Sequence, residues 1–598
     1  MLIDSKFKED HPLSTVNKIR NILFKAGIFT VEQWTDSGIK GCYSVRIEIA
    51  GSHIGQNGKG VTREFALASG YAELMERIQS NYFYVGAFDN ELRAYNGFQY
   101  APDEKEFVIE EFMKSYEKPL RPMTDRLQKK SGLHDGKEVY QQCCYGDTLQ
   151  HEMDFSTLPF QNLQTEEIVY IPVPILRDIY ATNGTCAGNV RCEAIVQGLS
   201  EIIERNHNMQ VLTKQITPPV VPEDYLMKFP VYSVIQNIQK DTKCKLIIKD
   251  CSLGTGFPVI AAALISRESH KYIVKFGAHP VFEIALERTL TEMFQGRSIA
   301  EATNASDCCY REKEILSFDN MHNVLKNASG KYHYSFFKDD SDIPFNPFED
   351  RTGLNNSTLL KYCTDFFEKR GYEIFIRDCG YMGFPTYQLI VPGFSEIYNY
   401  GLTRLKEKSS QKAAGEILCR LENATNSELE RVYRYFRFKE NFSMENTLSF
   451  TLRQPLLLKP AQDIAGFFYI ELCIAVHLEK WNEAVYLAQI LEHFSTSDKV
   501  FCQGMQEYAR RMVCRNDSDE ALAGIEIFYP VEILGKIQSI INWKKCAQDV
   551  AEYCRSLIFS DNKRSAYTVL QDTVRKLKTM QTVHAKEVSN EVCNCSEI

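Results

Sequence analysis

Two stretches of the chain repeat one pattern, Glu-x-x-Glu-Arg. The first is ALASGYAELMER, with Glu73, Glu76 and Arg77; the second is VQGLSEIIER, with Glu201, Glu204 and Arg205. A looser third copy, ALERTLTEMFQGR, carries Arg288 and Glu292. At 100° per residue, Asn189, Glu193, Gln197, Glu201 and Glu204 fall within an arc of roughly 120°. Ser69, Glu73, Glu76 and Arg77 share one of roughly 100°, and Arg288, Glu292 and Gln295 group in the same way. Each helix would thus be apolar over most of its girth, with one narrow polar stripe. The plain alternative is an amphipathic helix with a solvated face, but such faces are wide and mixed with Lys, and these stripes contain none. Burying converging carboxylates and guanidinia is costly unless something neutralises them. Mg²⁺ takes oxygen ligands together with phosphate, and Arg offers planar donors to phosphate oxygens. The pattern therefore points to a carboxylate–Mg²⁺–phosphate site.

Asn57-Gly58-Lys59-Gly60, just ahead of the first glutamate helix, offers backbone amides and a point charge to an anion; the alternative is a plain turn. It is not a Walker A loop, because Gly60 stands where that motif needs Ser or Thr. Gly254-Thr255-Gly256 reads as a hairpin turn and His279 as structural.

These groups must be held by a mixed fold. The alternating run at 42–50 reads as a strand and 62–82 as a helix. Residues 88–160 are weakly patterned and read as irregular. Strands are expected at 168–174, 244–249, 257–265, 271–277 and 386–391. Helices are expected at 189–213 and 281–297, with a helix-then-strand passage over 357–378. This order predicts an α+β core over residues 1–400. LTRLKEKSSQKAAG, from Leu402, reads as a linker or exposed helix. Beyond it helical periodicity dominates, giving an all-α domain over 401–584 with a tetratricopeptide-like look around Trp481, Ala484 and Ala488. Residues 585–598 read as a disordered tail.

With 598 residues, more than one core is required. A net charge of −9 argues against a broad nucleic-acid footprint. No run is apolar enough for a membrane span and the start lacks a signal-peptide core, so a cytoplasmic protein is expected. The nineteen cysteines include no C-x-x-C pair and read as reduced thiols. A radical-SAM cluster motif is absent as well.

The phrases NGKGVTREFALASGYAELMER, SNYF, YIPVPI, NGTCAGNVRCEAIVQGLSEIIER, FGAHPVFEIALERTLTEMFQGR and IVPGFSEIY, in this order, resemble the YcaO superfamily, and most of all its stand-alone members with a helical C-terminal part. The resemblance implies a family-specific ATP-binding core. By it, Glu73, Glu76, Glu201, Glu204 and Glu292 match positions that hold Mg²⁺. Lys59, Ser69, Asn189, Glu193, Arg205 and Arg288 match positions that contact ATP, as do Lys8 and Thr15 at the N-terminus. Cys186 stands where the close relative has Ser, a better hydrogen-bond donor than a thiol.

The resemblance further implies activation of an amide: its carbonyl oxygen attacks ATP, and a nucleophile then displaces phosphate. Members acting on peptide natural products form azolines, thioamides or amidines. Stand-alone members resemble an accessory factor for β-methylthiolation of an aspartate in the small-subunit ribosomal protein of the decoding site, alongside a radical-SAM methylthiotransferase. That role is the leading expectation. The alternatives are a peptide-modifying enzyme, and a non-catalytic scaffold regulated by ATP. The usual P-x-P-x-P ending of azoline-forming members is missing, since the last proline is Pro530. A homodimer is expected, with the helical half serving dimerisation or partner docking.

Overall fold

The computed structural model of the chain describes residues 8–35, 37–52, 54–81, 97–131, 135–144, 154–307, 311–326, 328–396, 413–439, 448–452, 460–494, 498–515, 517–559 and 564–595. Most of the expected linker (402–412), residues 82–83 of the SNYF phrase and the pair Cys308–Cys309 lie outside them. The chain divides into two compact units, one formed by 1–401 with 565–598 and the other by 402–564.

The first unit mixes sheets and helices, as expected. Its strands are β1 (Thr30–Thr35), β2 (Tyr43–Ile49), β3 (Gly55–Gly60), β4 (Lys105–Val108), β5 (Asp154–Asn162), β6 (Ile168–Pro172), β7 (Thr185–Ala187), β8 (Lys245–Asp250), β9 (Val259–Ser266), β10 (Lys271–Ala278), β11 (Ser306–Asp307), β12 (Phe375–Asp378) and β13 (Thr386–Ile390). They form three antiparallel sheets, ordered β1-β2-β3, β11-β10-β9-β8 and β4-β5-β12-β13-β7, with β6 also paired to β5. Four helices matter most: α1 (Pro12–Lys25), α2 (Arg63–Gln79), α3 (Arg191–Thr213) and α4 (Phe282–Glu292).

Burial explains the local patterns. In β9 the run VIAAALI, up to Ile265, is apolar because both faces are covered. Val259, Ala261 and Ala263 pack with Ile195, Leu199 and Ile202 of α3. Ile260, Ala262 and Leu264 pack with Phe282, Ala285 and Leu286 of α4. Period-two alternation thus fastens one glutamate helix to each face of the same sheet. The third glutamate helix, α2, sits on the small sheet, where Val45 and Ile47 of β2 meet Leu74, Met75 and Ile78, together with Val16 and Ile19 of α1. Thr62 caps α2 by accepting from the Phe65 amide at 3.3 Å.

The structure departs from the sequence reading in three places. Asn57-Gly58-Lys59-Gly60 is not a turn but most of β3, paired with β2. Its glycines serve close approach: a Cβ on Gly58 would come within 2.1 Å of the Ala66 carbonyl oxygen and 2.3 Å of the Gly70 amide nitrogen. The supposedly irregular 88–160 contains β4, the start of β5, and helices Ile109–Ser115, Arg121–Ser131 and Gly136–Cys144. Finally, residues 565–584 do not join the helical domain, and residues up to 595 are not a disordered tail. Helix Arg564–Cys595 belongs to the first unit, where Val574 and Leu577 enter the α1–α2 core. There Lys578 Nζ donates to the Gln99 carbonyl at 2.8 Å. The Gly254–Gly256 hairpin turn is as expected, with positive φ at both glycines between β8 and β9.

The second unit is helical. Helices Asn426–Lys439, Pro460–His477, Trp481–Phe494, Lys499–Arg515, Ser518–Glu526, Val531–Ile541 and Trp543–Phe559 enclose one core, centred on Phe467, Leu472, Leu487, Met505 and Ile537. Among the described residues no helix is long and apolar enough to cross a membrane.

Candidate functional site

The three glutamate helices face one cleft in the first unit, with about 240 Å³ of free volume. From α2 it receives Ser69, Glu73, Glu76 and Arg77; from Asn189 and α3, Glu193, Gln197, Glu201, Glu204 and Arg205; from α4, Glu287, Arg288 and Glu292. Strand β3 adds Lys59, the segment leading into α1 adds Lys8 and Asp10, and α1 itself adds Thr15. Every residue matched to Mg²⁺ or ATP through the resemblance lines this cleft except Cys186, while Asn57 and Gly58 of the glycine-rich stretch do not.

Cys186 is not among the lining residues. It lies in β7, fully buried, with its thiol 3.6 Å from the Tyr387 carbonyl. A Cβ on Gly198 of α3 would come within 2.8 Å of its sulfur. The residue fills the seam between sheet and helix, where burial and the nearby Glu76 and Glu201 carboxylates raise its thiol well above the usual range. Sequence reasoning also missed Asp10, Glu287 and the aromatic lining of Phe65, Phe276 and Phe384. Glu287 directly precedes Arg288 and so lies 100° round the helix from it, outside the arc drawn for α4, which is why the periodicity did not signal it. The phenylalanines carry no such mark, because apolar residues are the default filling of a core.

The polar groups form three clusters. At the N-terminal edge, Lys8 Nζ lies 3.0 Å from Glu193 Oε1, and the Glu9 amide donates to Glu193 Oε2 at 3.0 Å. Thr15 donates to Asn189 Oδ1 at 2.8 Å, and Asn189 Nδ2 to Glu193 at 3.2 Å. Burial opposes ionisation of Glu193, but Lys8, the Glu9 amide and Asn189 together hold its carboxyl below the usual range. On α2, Arg77 donates to Glu76 Oε1 at 2.5 Å and lies 3.4 Å from Glu73. At the far wall Lys59 pairs with Glu292, which Lys275 approaches at 3.4 Å, and Arg205 stands 2.8 Å from Glu201.

These groups crowd one another. Burial pushes Glu76 up to about 8 against the pull of Arg77, with Glu201 and Glu73 adding to the rise. Burial also raises Glu204 despite Arg288. Burial and then Arg288 bring Lys59 down to about 8, while burial, Arg297 and Lys59 bring Lys275 down to about 7. Both signs of charge thus pay for desolvation, and the carboxylates repel each other as well.

This donor set fits a magnesium–nucleotide complex. Eight carboxylates line the cleft against five Lys and Arg side chains, an excess that divalent cations would offset. Arg288 Nε is buried without a hydrogen-bond partner, and Glu201 Oε1 accepts no well-directed hydrogen bond even though Arg205 is near. Among the described residues no three carboxylate, His or Cys side chains are gathered into a ready metal cage.

Comparison with known proteins bears on the same region. The family model "YcaO cyclodehydratase", described as ATP- and Mg²⁺-binding, matches residues 57–395. The ribosomal protein S12 methylthiotransferase accessory factor YcaO of Escherichia coli (strain K12) is 33% identical over 347 residues, 57% of this chain and 57% of that protein. An uncharacterized protein of Haemophilus influenzae is 28% identical over 358 residues, again 57% of each chain. The chain thus spans little more than half the length of these relatives. A solved YcaO from Methanopyrus kandleri, bound with AMPPCP and Mg²⁺, superposes with a TM-score of 0.40 at 18% identity, over 66% of this chain and 95% of that one.

Proposed function

The chain belongs to the YcaO family, which binds ATP and Mg²⁺, and on that premise we propose that its carboxylate cleft is the nucleotide site, serving an accessory role in the methylthiolation of a small-subunit ribosomal protein. The observation that carries the first part is the convergence of α2, α3 and α4: acidic and basic side chains far apart in sequence share one cleft with an excess of carboxylates. Glu73, Glu76, Glu201, Glu204 and Glu292 would hold the metal, and Lys59, Arg205 and Arg288 the phosphates. Lys8, Thr15, Asn189 and Glu193 are linked by hydrogen bonds into one edge of the cleft. That edge would fix the nucleotide's position, and Ser69 would add a hydroxyl beside Glu73.

Bound Mg–ATP supplies a phosphoryl group that can turn an amide oxygen into a leaving group. The chain's own Lys59, Arg205 and Arg288 would orient the phosphates and offset their charge. Arg288, whose Nε has no other partner, is the group best placed to answer new negative charge.

The accessory role rests on the relative named for ribosomal protein S12 methylthiotransferase, with a radical-SAM enzyme carrying out the sulfur and methyl transfer. Mass spectrometry of the small-subunit ribosomal protein tests it in strains with the gene, without it, and with Glu201→Gln. The methylthio mass should be present only with the intact gene. Full modification in the deletion strain removes the role. Full modification in the Glu201→Gln strain shows that the cleft is not needed for it.

A further inference from the structure

The second unit carries an exposed apolar corner. Between helices Ser518–Glu526 and Val531–Ile541, Ile527 is 79%, Phe528 70% and Val531 76% exposed. The corner is fixed in shape. The Phe528 and Tyr529 amides donate back to the Ile525 carbonyl, Pro530 opens the next helix, and Tyr529 and Ile533 pack toward Gly504. Adjacent large apolar side chains held this far out of the core mark an interaction site.

Its rim is acidic. Glu526 and Glu532 flank the corner directly, Asp517, Asp519 and Glu520 open the helix that leads into it, all are exposed, and from Asp517 to Glu532 there is no Lys or Arg. Of the basic side chains nearby, Arg511 lies against Gly524 and pairs with Glu507 at 3.0 Å, and Lys536 pairs with Asp498 at 2.7 Å. We infer that the Ile527–Val531 corner docks a basic polypeptide segment that lays apolar side chains on Phe528 and Val531 while its Lys and Arg meet the acidic rim. The charge selects among occupants. A second copy related by two-fold symmetry would set like rim against like rim. Nucleic acid and anionic lipid would bring phosphate to carboxylate.

The test uses the full chain and two fluorescent 18-residue amphipathic peptides with the same leucine spacing, one with lysine and one with glutamate at the polar positions. The lysine peptide should bind, more tightly at low salt, and the glutamate peptide at least tenfold more weakly. Phe528→Ser with Val531→Ser, and separately Glu526→Lys with Glu532→Lys, should each weaken the lysine peptide about tenfold or more. Melting temperature and Mg–ATP binding should not move, so this result stands apart from that of the cleft. Equal binding of the two peptides, no binding of either, or unchanged binding in both variants overturns the inference. So does self-association of the wild type that the serine variant abolishes, or binding to phosphatidylglycerol vesicles that the same variant abolishes.

Discussion

Arg205 and His207 lie two positions apart on α3 and have opposite tasks. Arg205 reaches the cleft beside Glu201, and its donors are assigned here to phosphate. Arg205→Ala should therefore weaken ATP binding at least tenfold, the loss expected for a charged hydrogen bond of about 1.5–3 kcal/mol, with little change in ligand-free melting temperature. Calorimetry and a melting curve on one preparation check both. Collapse of apo stability with normal affinity would make Arg205 a structural ion-pair partner. His207 is buried, and that burial, only partly offset by a hydrogen bond to the Cys251 backbone, pushes it down to about 3. Its folded value is depressed, so its contribution is fully present above the unfolded value near 6.5 and is lost as pH falls from there toward 3. Between pH 6.5 and 5.5 the loss should be about 1 kcal/mol. Glu76, raised to about 8, acts in the opposite sense, its contribution growing as pH falls below 8. The histidine must therefore be isolated by comparing urea midpoints of wild type and His207→Gln, which should converge as pH falls from 7 to 5.5. Parallel midpoints would mean that His207 carries no such linkage.

Among the elements, the C-terminal helix and β3 show best where sequence reading stops. Leu577 is 2% exposed and packs with the α1–α2 core. Leu577→Ala should cost about 2–5 kcal/mol and weaken ATP binding through α2, as measured by denaturant unfolding and calorimetry. A cost below about 0.5 kcal/mol would detach this helix from the first unit. Nothing in the local pattern of 564–595 announces the partner, because an amphipathic helix displays an apolar face without saying what covers it. The glycines of β3 misled for a similar reason. Turns and close helix contacts both favour Gly, and only the nearness of Gly58 to Gly70 decides between them. The glutamate helices were legible because 3.6-residue periodicity turns spacing directly into a shared face. Cys186 was not, since a substitution read from a relative's position does not tell a lining residue from a buried one.

Across the whole molecule, the chain leaves the first unit at residue 402 and returns to it at 565. Truncation near Leu402 would therefore strip the first unit of its C-terminal helix along with the second unit, and the site is best tested in the full chain. On the function proposed above, three helices, separated by more than a hundred residues in one case and by about seventy in the other, build one magnesium–nucleotide site. Isothermal calorimetry of ATP into the full chain, with and without Mg²⁺, addresses it directly, using wild type, Glu73→Gln and Glu201→Gln. Each variant removes a carboxylate from a different helix. Binding should require Mg²⁺ and weaken at least tenfold in both variants. Mg²⁺-independent binding, or wild-type Mg–ATP affinity in both variants, would contradict the account.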